Sequence, residues 1–313
     1  MEQFLDLAFL TTFLSAAVST AIPFAFAALG EIYSEKAGIL NIGLEANMLA
    51  GAFCGFALAY ASGNLWIGLL GGMLGGMLVC LLHAFICIRL GQNQTICGIA
   101  LNMFLLGLTS YFLKVLLTGN VAYPQVATFP KMAIPLLSRI PLLGNALFNQ
   151  DAMVYILYAL IALSWVLLYK TQWGAALTAV GEHPRAADTV GINVYRLQYT
   201  AAAINGILCG MSGAYMTLAQ LGIFTENLTA GRGYIALAVV IFGRRDPIKT
   251  TLAAVLFGAA EALQFRMQAM GIALPAQFMN MLPYLVTVLA LLGSIGKQRD
   301  PEHLGKPYVR DAR

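Results

Sequence analysis

Charge is what this sequence has least of. Only 10% of its 313 residues are Asp, Glu, Lys or Arg, against roughly 25% in an ordinary soluble domain. From Ala46 to Ile88 there is none at all. So little polar surface cannot face water over a whole fold, and the mean hydropathy of +0.77 agrees. The chain reads as a polytopic membrane protein. Missing motifs remove further classes. No GxxxxGK[ST] run is present, so no P-loop binds ATP here, and there is no HExxH. His83, His183 and His303 lie far apart, and no Ser/His/Asp arrangement can be argued. The five cysteines are odd in number and do not pair at metal-ligand spacings. They read as small buried hydrophobes, and no metal is expected. The opening MEQFLDLAFL lacks the basic region of a signal peptide, and its apolar run reaches Leu29, long enough to span. The net charge of +4 is modest and sits in loops and tail, which does not suggest nucleic acid.

Apolar windows place spans at 7–30, 38–61, 65–88, 95–117, 152–169, 198–220, 250–270 and 278–296. The piece RGYIALAVVIFG, 232–243, is about 18 Å long as a helix and too short to cross alone. It must return inside protein at membrane depth. The connection 118–151, broken by Pro124, Pro130, Pro135 and Pro141, reads as an external loop with a short interfacial helix. Basic residues cluster after Tyr169 (Lys170, Arg185, Arg196), in GRRDPIK (Arg244, Arg245, Lys249) and in the tail (Lys297, Arg299, Lys306, Arg310, Arg313). The positive-inside rule puts all three in the cytoplasm, with the N-terminus outside unless 31–47 is itself re-entrant. Gly68, Gly72 and Gly76 make a packing face. The halves are loosely alike, each with a Gly-bounded polar motif entering a span (AGILNIG; AGRGYIA).

Four constellations remain. In EKAGILNIGLEANMLAG, helical phase puts Asn41 and Glu45 on one face and Asn47 on another. Glu45 either lines or locks a helix break, or marks the edge of a span. In AGRGYIALAVVIFGRRDP, Gly231 and Gly233 can break a helix, whose positive N-terminal end then points inward. Tyr234 and Phe224 offer ring faces for a planar ligand, or the segment is purely architectural. In TAVGEHPRAADTVGINVYR, residues Glu182 to Gly191 read as a turn, a short helix and a glycine stop. It is either a docking helix or a solvated loop. In LFGAAEALQFRMQAMG, Glu261, Gln264 and Gln268 share a face, with Arg266 nearby. This is either a site or a Glu–Arg tie.

Six stretches carry a resemblance, in order over nearly the whole chain: GEIYSEKAGILNIGLEANMLAGAF, TICGIALNMFLLGLT, AVGEHPRAADTVGINVYR, GMSGAYMTLAQLG, TAGRGYIALAVVIFGRRDP and LFGAAEALQ. The chain resembles permease subunits of bacterial ABC importers in the branched-chain amino acid and simple-sugar class. It is most similar to nucleoside-type permeases that work with a basic-membrane-protein-type binding lipoprotein, and it looks like the smaller of two non-identical permeases. Such relatives often carry Gly where this chain has Ala46.

The resemblance implies an all-α, type II-like importer permease of about eight to ten transmembrane helices with broken or re-entrant elements. It implies a non-catalytic multi-pass subunit of the bacterial cytoplasmic membrane. Residues 1–296 would form the permease domain, with a coupling loop at about 170–197 and an external loop at about 118–151, and 297–313 a cytoplasmic tail. Expected partners are a second permease, two copies or domains of an ABC ATPase, a binding lipoprotein and the bilayer. No cofactor is expected, since ATP would sit on the ATPase. The substrate class would be nucleosides, with riboflavin or a simple sugar as the alternative. An ion-coupled secondary transporter using Glu45 and Glu261 is the second alternative. Expected pathway residues are Asn41, Glu45, Asn102, Phe224, Tyr234, Glu261 and Gln264. Expected coupling residues are Gly181, Glu182, Pro184, Ala186, Ala187 and Gly191.

Overall fold

The computed structural model describes residues 7–118, 123–135, 137–140, 143–270, 275, 277–278, 281–294 and 300–310. Pro141, Lys297, Arg299 and Arg313 lie outside them. Helix α1 (Leu7–Lys36) is followed by α2 (Leu44–Ser62), α3 (Leu65–Ala84, prolonged by a π-helical turn to Arg89) and α4 (Gln94–Leu117). Two three-residue strands, β1 (Lys131–Ala133) and β2 (Asn149–Asp151), pair antiparallel around the short α5 (Leu143–Phe148). Then come α6 (Ala152–Lys170), α7 (Gln172–Glu182), α8 (Pro184–Thr189) and α9 (Val194–Tyr215, with a π-helical turn to Leu221). The last are α10 (Arg232–Phe242), α11 (Pro247–Ala269) and α12 (Leu282–Ser294). Among the described residues seven helices are long and apolar enough to cross a membrane: α1, α2, α3, α4, α6, α9 and α11. The small ladder has no sequence signal, because three-residue strands leave no period-two pattern to read.

Local chemistry sets the helix starts. Asn93 accepts from the N–H groups of Thr95 and Ile96, Asp151 from Met153 and Val154, and Asp246 from Ile248 and Lys249. Each pair would otherwise be orphaned at a helix N-terminus. Pro23 sits inside α1 and cannot donate to the Ser19 carbonyl four residues back. The Gln220 amide donates to that carbonyl at 2.9 Å, and the Ser212 hydroxyl donates to the Pro23 carbonyl at 2.6 Å. Both donors come from α9 and its π-helical end, so a proline at membrane depth leaves no carbonyl unpaired there.

The centre of the molecule is α9, packed on α1, α2 and α3. The approach is close because facing positions are glycine: Gly72 and Gly76 of α3 and Gly51 of α2 meet the α9 backbone around Gly206 and Gly210. By contrast α4 leaves Ile96, Ile99, Met103, Phe104, Tyr111 and Phe112 exposed on one side. Such a row suits lipid or another membrane subunit.

Between α9 and α10 the chain turns back. Gly222 at φ 69° ends the π-helical turn, and Ala230 (φ 44°) and Gly231 (φ 86°) precede α10. With 11 residues α10 is about 17 Å long, well short of a bilayer core of about 30 Å. It is a half-helix that begins within the protein. The opposite end of the bundle gathers the basic segments. Lys36 lies over the Tyr169 ring, the Arg245 guanidinium joins Glu35 to Asp300, and Arg310 pairs with Asp188.

Candidate functional site

The two Gly-bounded motifs meet at one carboxylate. Glu45 stands in the first turn of α2 and is 8% exposed. Its Oε1 accepts from the Thr229 hydroxyl at 2.6 Å and from the Gly231 N–H at 2.7 Å, and its Oε2 accepts from the Gly233 N–H at 2.7 Å. Glu45 therefore caps the free N-terminus of α10. Its negative charge lies between the positive ends of two helices, α2 and α10. Gly233 is required here, because a Cβ would sit 2.5 Å from the Glu45 backbone nitrogen. The sequence left Glu45 lining a cavity, locking a helix break or marking a span edge, and the three hydrogen bonds have the geometry of a lock. Asn102 of α4 extends it. Its Oδ1 accepts from the Ala46 N–H at 2.9 Å, and its Nδ2 donates to the Ile42 carbonyl at 3.0 Å and the Tyr234 hydroxyl at 2.8 Å.

Asn41 belongs elsewhere, which corrects the shared helical face. Gly38 has φ 83° and α2 begins only at Leu44, so no helical phase connects Asn41 to Glu45. The Asn41 Oδ1 accepts from the Gly43 N–H at 3.0 Å in a local turn, and its own N–H donates to the Glu31 carboxylate at 2.9 Å. Glu31 also accepts from Asn205 at 2.6 Å, and Asn205 donates to Ser34 at 2.8 Å. All four side chains are buried. Sequence reasoning missed Glu31, Ser34 and Asn205 as a unit. The available signal was the clustered charge of EIYSEKAG.

Glu261 is tied across helices. Its Oε1 takes the guanidinium of Arg232, at the start of α10, while its Oε2 is buried without a hydrogen-bond partner among the described residues. Its partner Arg232 lies on a different helix, so no period in the sequence could point to it. Two clefts adjoin the pair. One, about 290 Å³, is lined by Arg232, Ile235, Glu261, Gln264, Phe265 and Tyr284 among others. The second, about 230 Å³, is lined by Thr20, Met216, Gln220, Arg232, Glu261 and Phe265 among others. Gln264 thus joins Glu261 as the spacing implied. Tyr234 is 46% exposed, but Phe224 is fully buried against Phe53 and Phe56. Phe224 is core and offers no face to a ligand.

Removing one partner of the Arg232–Glu261 pair strands a charge in a mostly buried place, at about 3 kcal/mol. Arg232→Ala is expected to lower substrate uptake more than tenfold. The Arg232→Gln/Glu261→Gln double variant is expected to recover more than either single change, as a double-mutant cycle on uptake measures.

At the basic end, Pro184 opens α8 and Gly191, at φ 86°, closes it. Gly181 packs on the Lys36 carbonyl and Gly38, so α7 sits directly on the α1–α2 corner. Ala187 is buried with Val180 and Val194, whereas Ala186 is exposed and Glu182 half-buried. Away from both places, His83, Cys87 and Cys97 come within 4.8 Å of one another, and the His83 ring contacts the Gln94 carbonyl at 3.2 Å and Cys87 at 3.4 Å.

Residues 13–291 match the family described as the branched-chain amino acid transport system/permease component. The chain belongs to that family and is a multi-pass membrane protein of the ABC importer permease type. It is 37% identical to the guanosine ABC transporter permease protein NupQ of Bacillus subtilis, over 97% of this chain and 98% of that one. It is 35% identical to the putative glucose ABC transporter permease protein TsgC13 of Haloferax volcanii, over 91% and 92%. It is 34% identical to the nucleoside ABC transporter permease protein NupC of Lactococcus lactis, over 92% and 93%.

Proposed function

We propose that the chain is one of two non-identical membrane subunits of an ATP-driven importer that brings nucleosides into a bacterial cell. The second permease completes the translocation path. Two copies or domains of an ABC ATPase bind inside, and a substrate-binding lipoprotein delivers the nucleoside outside. The chain itself holds no ATP and catalyses nothing. Lys36, Lys170, Arg185, Arg196 and Arg245 gather at one end, which by the positive-inside rule is cytoplasmic. In this reading the coupling loop and the C-terminal tail lie inside and the 118–151 loop outside.

The observation that carries the reading is the near-full-length likeness to permeases named for guanosine and nucleosides. The larger cleft agrees in chemistry: Phe265 and Tyr284 supply ring faces for a base, beside the Glu261 carboxylate, the Arg232 guanidinium and the Gln264 amide. The glucose-named relative favours a simple sugar as the second reading. Ion coupling through Glu45 and Glu261 is opposed by their partners, since three donors take up Glu45 and Arg232 takes up Glu261. The test is reconstitution of both permeases with the ATPase and the binding lipoprotein. Nucleosides are expected to stimulate ATP hydrolysis several-fold. Stimulation by a sugar or a flavin alone would overturn the substrate, and uptake without the ATPase would overturn the class.

A further inference from the structure

We propose that residues 300–310 and α8 form one composite docking surface for the ATPase subunit, an inference that rests on the importer reading above. The segment has no regular secondary structure over most of its length, yet it is fixed along it. Asp300 pairs with Arg245 at 2.7 Å, the His303 N–H donates to the Gly181 carbonyl at 3.0 Å, and the Gly305 N–H donates to the Gly38 carbonyl at 3.1 Å. Tyr308 is buried against Val180, Ala187 and Val194, and Arg310 pairs with Asp188 at 3.0 Å. Every one of these partners lies on α7, α8, the start of α9, the α1–α2 corner or the turn before α11. The tail is thus built onto the same elements that carry the coupling helix.

What the segment leaves outward matters as much. Val309 is 64% exposed and Val190, just past α8, is 75% exposed. Asp188, two positions before Val190, pairs with Arg310, next to Val309, so the segments that carry the two valines are joined. This is the charged end of the bundle, where lipid tails do not cover apolar side chains. Charged residues of both signs are exposed on the same segments: Arg185, Lys306 and Arg310, with Asp300 and Glu302. Exposed apolar side chains at this charged end, continuous with α8, suit a protein partner rather than lipid. The coupling helix alone is six residues long and offers little area, so a second segment beside it enlarges the contact.

The test measures binding of the ATPase subunit to the full permease pair in nanodiscs. Val190→Glu and Val309→Glu change exposed side chains, so folding and insertion stay intact. Each is expected to weaken ATPase binding about tenfold, the scale of an interface anchor. Tyr308→Ser is expected to weaken it similarly by releasing the tail, and Tyr308→Phe to retain it. If Val190→Glu weakens binding while Val309→Glu and Tyr308→Ser match the unaltered chain, the tail is no part of the surface and the inference falls. If the unaltered pair binds no ATPase, the importer reading itself falls, a distinct result.

Discussion

Glu45→Ala is expected to destabilise the fold by about 3–5 kcal/mol and to abolish uptake. The substitution removes the acceptor for the Thr229 hydroxyl and the Gly231 and Gly233 N–H groups at once. Hydrogen bonds to a charged group are worth about 1.5–3 kcal/mol each, and orphaned buried donors add their own desolvation cost. The ends of α2 and α10 also lose the anion that complements both dipoles, about 0.3–1 kcal/mol apiece. Ala230, held at φ 44°, has less to keep it there. Glu45→Gln keeps one acceptor oxygen but aims an amide N–H at a backbone N–H, so an intermediate loss of about 1–3 kcal/mol is expected. Thermal unfolding of the purified protein and uptake in vesicles measure the two effects. Unchanged melting and uptake in Glu45→Ala would show that the cap is dispensable.

Gly213→Val is the second large effect, expected at about 3 kcal/mol or more, with folded yield falling accordingly. A Cβ at Gly213 would overlap the Met48 carbonyl oxygen, and the next nearest atom, Ala52 N, is 2.7 Å away. Those are backbone atoms of α2, which no rotamer change can move aside. The helices must separate, and α9 is the element the other helices pack on. Gly107→Val on α4 is the control, since a Cβ there meets nothing within 4 Å. Equal yields for the two variants, measured by size-exclusion of the detergent-solubilised protein, would refute the close-packing account.

Some of the site was legible early. The pair Glu261 and Gln264 lies within one helix, where 3.6-residue spacing is a reliable guide, and both line the same cleft. The breaker glycines of AGRGY marked α10 as a half-helix, because 11 apolar residues cannot span. For Asn41 the same helical spacing misled. Helical phase was carried through Gly38 and Gly43, where the chain is not helical. Phe224 failed because burial is a property of neighbours, and Phe53 and Phe56 come from a distant part of the chain. No period in the sequence pairs Glu45 with Thr229 or Arg232 with Glu261.

The sequence by itself determined the membrane class, seven of the eight long spans it implied, the short half-helix and the glycine face. These follow from composition, length and local period, which act over a few turns of chain. Only the tertiary structure decided that the LNIGLE carboxylate closes the AGRGY helix and that residues 300–310 lie on α7 and α8. Those contacts join residues more than 100 positions apart. They depend on which helix faces lie together, and in a bilayer that is set by close packing and by the need to satisfy every buried polar group.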